Sequence, residues 1–297
     1  MTREIKLVTE PLVAPIAEME FIDEGLTEML NWVGVYRPEC LPSEEELEGR
    51  RCPWTAMFPT GPDRYSFDSA DEDDDHRDVV SWNELLVELA GRTCYHSYGL
   101  KAGRKTNREY IANMQGGSVP HASVLYHAKM SFFIANVSRR VSHELIRNYV
   151  GADRTEEGSP SQESTRYTRH PGHYVVPPYI LERPRQFGLE TFRTEMQRGY
   201  DGYLDFIDRQ ADEFEREKGE APKGMDRKRI YEAASFFLHH SVTTSFVWTT
   251  NPMALRKLWK ERCDENADAE FQRFAKKWRA ISLRRWPNLF PGVTNDD

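Results

Sequence analysis

The sequence predicts an α+β fold. Short β-branched runs stand at the start, in the middle and towards the end of the chain, at 5–16, 173–178 and 242–250. Between them lie long stretches whose apolar residues recur at helical spacing, and no internal repeat divides the chain into equivalent parts. At 297 residues the chain is long enough to bury a core without disulfide or metal staples. It reads as a single domain over 1–297 with an acidic, proline-rich insertion at about 38–78.

The elements follow in order. IKLVTEPLVAPI (5–16) suits a short strand or hairpin edge, broken at Pro11. Residues 38–78 carry prolines, glycines and an acidic block and suit a mobile loop; His76 stands where a calcium loop needs glycine, so 71–75 reads as a solvated charge run. VVSWNELLVELA (79–90) has helical spacing and runs into the turn-like GRTCYHSYG (91–99). From 131 to 149, Phe133, Val137, Val141 and Leu145 form one stripe and Arg140, Glu144 and Arg147 another, which predicts one helix with a core face and a polar face. Residues 150–166 read as loop, and HYVVPP (173–178) as a strand stopped by two prolines. Leu189, Phe192, Met196, Tyr203 and Ile207 mark a long amphipathic helix ending before Lys218-Gly219, and another helix begins near Asp226. After the β-branched run 242–250, Asn251-Pro252 caps and opens a helix, and a last helix through Phe271, Phe274 and Trp278 must stop at Pro287.

Composition narrows the function classes. A net charge of −8 and a pI near 5.7 argue against a protein that grips nucleic-acid backbones, while leaving room for one nucleotide in a local basic pocket. Cys40, Cys52, Cys94 and Cys263 form no C-x-x-C pair, which reads as reduced thiols and implies no metal site. No secretion signal or membrane span is evident, so the expectation is a soluble, cytoplasmic protein.

Chemistry concentrates in SPSQESTRY (159–167), beyond a helix ending in HELIR (143–147). Hydroxyls, an amide and guanidinium groups gathered there suit a phosphate-bearing pyrimidine, with arginine for bidentate phosphate contacts. A capping, turn-forming loop with surface arginines has the same composition.

These segments resemble the flavin-dependent thymidylate synthase family. Its hallmark is Arg-His-Arg, seven residues, then Ser; here Arg147 fits the first Arg, Asn148 and Tyr149 stand in the next two places, and Ser164, Arg166 and Tyr167 fit the end. HASVLYH (121–127) resembles the family's segment near the flavin, with Ser123 facing the flavin phosphates, and GRTCYH (91–96), carrying Cys94, resembles its Arg-x-Ser-Phe turn. FVWTTN, ending in Asn251, and ERCDENADAEF, carrying Arg262 and Asn266, resemble two C-terminal segments. The resemblance implies an α+β mixed sheet with long helices and active sites at subunit interfaces of a homo-oligomer, a tetramer or a dimer. It implies C5-methylation of a uracil nucleotide, with FAD as cofactor and NADPH and 5,10-methylenetetrahydrofolate as co-substrates. Arg262 is then the substrate-activating, catalytic arginine. Glu144, Arg147, Gln162, Ser164 and Arg166 bind substrate, and Cys94, Ser123, Arg147, Asn148, Tyr149, Asn251 and Asn266 bind cofactor. No metal, nucleic-acid or membrane partner is implied.

Three departures matter. The loop from Tyr149 to Ser159 is longer and more acidic than the family's; the second and third hallmark residues are replaced, with Arg154 the nearest substitute cation; and Ser235, in EAASFFLHH, stands where the family has a phosphate-binding arginine. They suggest a member that accepts UMP as well as dUMP, as in nucleoside-antibiotic biosynthesis. An ordinary dUMP-specific synthase and a catalytically lapsed nucleotide-binding relative remain as alternatives. A cysteine-nucleophile role for Cys263 lacks a paired base or positive field beyond one arginine.

Overall fold

A computed structural model of the chain describes residues 3–43, 45, 56–58, 65–66, 78–103, 105–116, 121–149 and 158–295. In chain order its strands are β1 (Lys6–Val8), β2 (Leu12–Glu18), β3 (Tyr65–Ser66), β4 (Asp78–Val79), β5 (Met130–Ser138), β6 (Ser159–Gln162), β7 (His173–Val175) and β8 (Thr243–Thr250). Its helices are α1 (Asp23–Tyr36), α2 (Trp82–Tyr95), α3 (Asn107–Gly116), α4 (Arg139–Tyr149), α5 (Pro178–Glu182), α6 (Pro184–Phe187), α7 (Leu189–Lys218), α8 (Gly224–Ala234), α9 (Pro252–Arg262) and α10 (Ala269–Arg285), with short 3-10 turns between. The fold is α+β. Among the described residues, no helix is long and apolar enough to cross a membrane.

The chain divides into two compact units, each gathered from three stretches. The first comprises Met1–Ala14, Phe132–Trp248 and Leu258–Trp278. A four-stranded sheet in the order β2-β5-β8-β6 draws most of its residues from it, and β1 pairs in parallel with β7, Leu7 opposite Tyr174. The thirty-residue α7 lays Met196, Tyr200, Tyr203, Leu204 and Ile207 against Ile5, Tyr174 and Val242. These residues recur at three- and four-residue spacing, so one stripe of α7 meets the core and the opposite face stays polar. The helix ends where Gly219 adopts a left-handed conformation, φ 75°, and its N–H closes on the carbonyl of Glu215.

The second unit comprises Pro15–Ser131, Thr249–Lys257 and Arg279–Asp297. Ser81 opens α2 through a capping box with Glu84. Leu85 and Leu89 of α2 pack with Leu26, Leu30 and Val33 of α1. On another face of α2, Glu88 and Arg92 form a fully buried ion pair at 2.5 Å. Arg92 also donates to the carbonyls of Ser97 and Ala102, and Asn107 donates to Glu88, so the buried charges are tied into a network rather than left unpaired.

Several sequence expectations change. Residues 131–149 are not one helix: β5 runs to Ser138 and α4 begins at Arg139. Met130, Phe132 and Ile134 are buried in strand alternation, while Phe133 is 36% exposed. At Asn136 a positive φ of 59° accompanies a one-residue shift in that alternation, so Val137 falls on the buried side. This shift placed apolar residues four apart and imitated a helical stripe; the polar stripe Arg140, Glu144 and Arg147 does lie on α4. The stretch 91–95 belongs to α2 rather than to a turn, and His96 closes the helix in a left-handed conformation. Residues 5–16 form no hairpin, since β1 and β2 enter different sheets. Part of the expected loop 150–166 is the strand β6. Within 38–78, Cys40, Met57 and Phe58 are buried beside α1 and α2, so part of the supposed mobile loop completes a core. The acidic run 71–75 and Arg154 lie outside the described residues.

Candidate active site

Helix α4 organises the first unit's polar groups. Its opening amides, which have no partner within the helix, donate to the segment before β8: Arg139 N to the Val242 carbonyl at 3.0 Å and Arg140 N to the His240 carbonyl at 3.3 Å. Ser138 adds a cap, its Oγ accepting from Val141 N at 3.2 Å, and is itself held by the Glu270 carboxylate through N–H and O–H. Burial raises the Glu270 pKa, against the hydrogen bonds from Ser138.

Two ion pairs run along the polar face. Arg140 meets Asp268 at 2.6 Å, and Glu144 meets Arg262 at 2.7 Å. Positions i and i+4 on one helix therefore engage the segment that joins α9 to α10. Arg262 is the last residue of α9, where a cation suits the helix dipole, and its guanidinium lies 5.1 Å from the Phe271 ring centre. Asn266, exposed in that connection, donates from its backbone and side-chain nitrogens to Asp264 and so lowers that carboxyl's pKa. The structure thus joins two predicted residues, Glu144 and Arg262, and leaves Asn266 at the surface turn beside them.

The SPSQESTRY segment sits across β8. Gln162 donates through Nε2 to Ser142 Oγ at 2.9 Å and to Thr244 Oγ1 at 2.8 Å, bridging α4 and β8. Glu163 N donates to the Ser245 carbonyl and its carboxylate accepts from Ser245 Oγ. Ser164 shapes the following turn: Oγ accepts from Arg166 N, and the carbonyl accepts from Tyr167 N and Thr168 N. Arg166 is exposed above the Tyr167 ring, and Arg147 is exposed in the last turn of α4.

A cleft of about 420 Å³ opens between the start of α4, β6 and the segment before β8. Ile146, Leu238 and Val242 give it apolar surface; Arg139, His143, Gln162, Ser235, His239 and His240 give it polar groups. Arg139 donates to the Glu163 carbonyl at 3.0 Å, its Nε is buried without a hydrogen-bond partner, and burial lowers its pKa. Sequence reading had named only Gln162 and Ser235 among these. The paired histidines in EAASFFLHH were the available signal, but nothing in one sequence says that they face Arg139 across a fold.

In the second unit, Cys94 is exposed on the last turn of α2 and Ser123 lies in a 3-10 turn beside His121, whose ring nitrogen is 2.6 Å from Tyr95 Oη. Asn251 is fully buried and its side-chain oxygen accepts from Ala254 N, capping α9. The side chains of Asn148 and Tyr149 lie outside the described residues. Among the described residues, no group of acidic, histidine and cysteine side chains could hold a metal.

Residues 78–288 match the family model described as thymidylate synthase complementing protein, and every predicted site residue falls inside that span. A flavin-dependent thymidylate synthase of Mycolicibacterium vanbaalenii is 35% identical over 214 residues, 71% of this chain and 78% of the relative. The chain belongs to the flavin-dependent thymidylate synthase family. A second relative, the flavin-dependent thymidylate synthase of Mycolicibacterium gilvum, is 33% identical over 213 residues, again 71% and 78% of the two chains. Among solved structures, the UMP/dUMP methylase PolB from Streptomyces cacaoi bound with 5-Br UMP superposes with a TM-score of 0.53. The identity is 15%, over 96% of this chain and 95% of that one, so the likeness is one of fold. Enzymes of this family use FAD, with NADPH and methylenetetrahydrofolate as co-substrates.

Proposed function

We propose that this protein methylates carbon 5 of a uracil nucleotide, UMP or dUMP, using FAD, NADPH and methylenetetrahydrofolate. The observation that carries this reading is the Glu144–Arg262 pair, which sets a guanidinium on the polar face of α4, in the same unit as Gln162, Ser164 and Arg166. Arginine, imidazole, hydroxyl and amide groups around apolar surface fit a phosphate-bearing heteroaromatic ligand, the class to which both a flavin dinucleotide and a uracil nucleotide belong. When bound, the flavin supplies the hydride that completes the methyl group.

Uracil carbon 5 is a poor nucleophile until negative charge can develop on the ring. Arg262, held in place by Glu144, is the residue we assign to stabilise that charge at a carbonyl edge. Ser164, Arg166 and Arg147 hold the nucleotide, and Gln162 presents its carbonyl oxygen to base or sugar because its amide hydrogens are used on Ser142 and Thr244. Ser123, Cys94, Asn148, Tyr149 and Asn266 belong to the cofactor set; Asn251 serves that set indirectly, by fixing the start of α9. A role in nucleoside-antibiotic biosynthesis is part of the proposal, supported by the lengthened loop between Tyr149 and Ser159 and by Ser235. The identities near 35% to thymidylate synthases favour the second reading, a dUMP-specific enzyme. A homo-oligomer, a tetramer with active sites between subunits, completes the proposal.

The test is methylation itself. Purified protein supplied with FAD, NADPH, methylenetetrahydrofolate and either nucleotide should form the 5-methyl product and show the visible absorption of bound flavin. No product with either nucleotide, together with no flavin binding at tens of micromolar, where binding would be worth only about −6 kcal/mol, would remove the proposal.

A further inference from the structure

We infer that Glu270 is a positioning residue for the reaction, holding Arg262 in register with Glu144 by clasping the start of α10 to the start of α4. The inference rests on the proposed function, which gives Arg262 its task, and it assigns Glu270 no contact with nucleotide or flavin. Three contacts join α4 and its cap to the segment between α9 and α10, and all lie in the first unit. Glu144 meets Arg262 at 2.7 Å, and Arg140 meets Asp268 at 2.6 Å. The third has two prongs: Ser138 donates to Glu270 from N to Oε1 at 2.8 Å and from Oγ to Oε2 at 2.7 Å.

The three contacts differ in strength. Arg140 is 62% exposed, so water and salt screen its pair with Asp268. Ser138 is buried, and without the Glu270 carboxylate its N–H and O–H would lose their acceptor away from solvent. Two bonds between the same two residues also fix direction as well as distance.

This clasp governs both members of the Glu144–Arg262 pair. On the α4 side, Ser138 Oγ accepts from Val141 N at 3.2 Å while its proton goes to Glu270, so the carboxylate orients the cap from which α4 starts. Glu144 stands six residues after Ser138, under two turns into the helix. On the α10 side, Glu270 is followed by Phe271, whose N–H donates to Asp268 Oδ1 at 3.1 Å and whose buried ring lies 5.8 Å from that of Phe274. The Arg262 guanidinium rests 5.1 Å from the centre of the Phe271 ring, so the ring supports it on one side and Glu144 holds it on another. Loss of the Glu270 carboxylate therefore loosens both supports of Arg262 together.

The experiment is a pair of mutant cycles on the full chain, comparing wild type, Glu270→Ala, Arg262→Ala and the double variant. In steady-state methylation with FAD, NADPH and methylenetetrahydrofolate, Glu270→Ala should lower kcat by about tenfold or more and leave the nucleotide KM within a few fold, as misplacing a charge stabiliser does. In the Arg262→Ala background the same change should cost less than about twofold, because Glu270 acts through Arg262. Denaturant unfolding of the four proteins gives a second cycle that needs no activity: Glu270→Ala should raise the unfolding constant by about threefold more when Arg262 is present than when it is absent. If Glu270→Ala does not fold, Glu270→Gln, which keeps the length of the side chain and weakens the clasp, carries both cycles with several-fold effects. Where wild type methylates, the rate cycle decides: equal costs in the two backgrounds, or a folded variant with wild-type kcat, would overturn the inference and leave the methylation reading standing. Where wild type does not methylate, that reading falls and the unfolding cycle decides: coupling keeps Glu270 as the residue that positions Arg262, and additive costs overturn it.

Discussion

The guanidinium of Arg262 and the carboxylate of Glu144 lie 2.7 Å apart, joining the C-terminal end of α9 to the middle of α4. Both side chains are largely buried, 18% and 26% exposed, so the pair is shielded from the screening that makes surface ion pairs weak. Glu144 thereby fixes the orientation of the Arg262 guanidinium.

Arg262→Ala should cost turnover on the order of a hundredfold or more, the scale for removing a preorganised charge stabiliser. Arg262→Lys should recover little of it, since a lysine cannot reproduce the planar fork. Cys263→Ala should stay within a few fold. Single-turnover methylation, with circular dichroism as a folding control, separates these outcomes; loss of activity in the cysteine variant alone would reverse the assignment.

UMP should be accepted comparably to dUMP. Ser235 and Gln162 bring a hydroxyl and an amide oxygen to the cleft, groups that can partner an extra ribose hydroxyl. A closed apolar wall would leave that hydroxyl unsatisfied at roughly 1–3 kcal/mol, a ten- to hundredfold preference. Direct competition between the two nucleotides measures the ratio, and a dUMP preference above about a hundredfold would return the enzyme to dUMP-specific chemistry.

Stability should fall as pH rises through neutrality. Burial raises the pKa of Glu84 to about 7, against hydrogen bonds from Ser81 and Asn288. The folded state then holds this proton while the unfolded state has released it, so the contribution is complete below the ordinary carboxylate pKa and is lost as pH passes about 7. His170, which burial lowers to about 4, works the other way, but only below its ordinary value of 6.5. Between pH 6.5 and 8 the Glu84 effect should dominate these two. Thermal melts should drop over that interval in wild type by a few degrees and drop less in Glu84→Gln.

Gly158→Ala should destabilise the protein by about 1–3 kcal/mol, the usual range for overpacking. A Cβ there would lie 2.1 Å from Trp248, which is itself buried in β8 and cannot yield. Denaturant unfolding measures the loss. An unchanged midpoint would mean that residue 158 moves freely off the indole.

Much of this protein is legible in its residues. Gly219 ends α7, Asn251-Pro252 opens α9, and Pro287 stops α10, because caps and prolines act within a few residues of where they stand. The motifs with Arg147, Ser164 and Arg262 likewise carry the family in their order along the chain. What only the tertiary structure decided is who meets whom. The stripe 133–145 imitates a helix until a positive φ at Asn136 and burial on a sheet show a strand first. Glu144 and Arg262 are 118 positions apart, and no local periodicity encodes such a distance. Their pairing comes from burying the sheet and the apolar stripes of the helices at once, a constraint satisfied by the whole chain rather than by any segment of it.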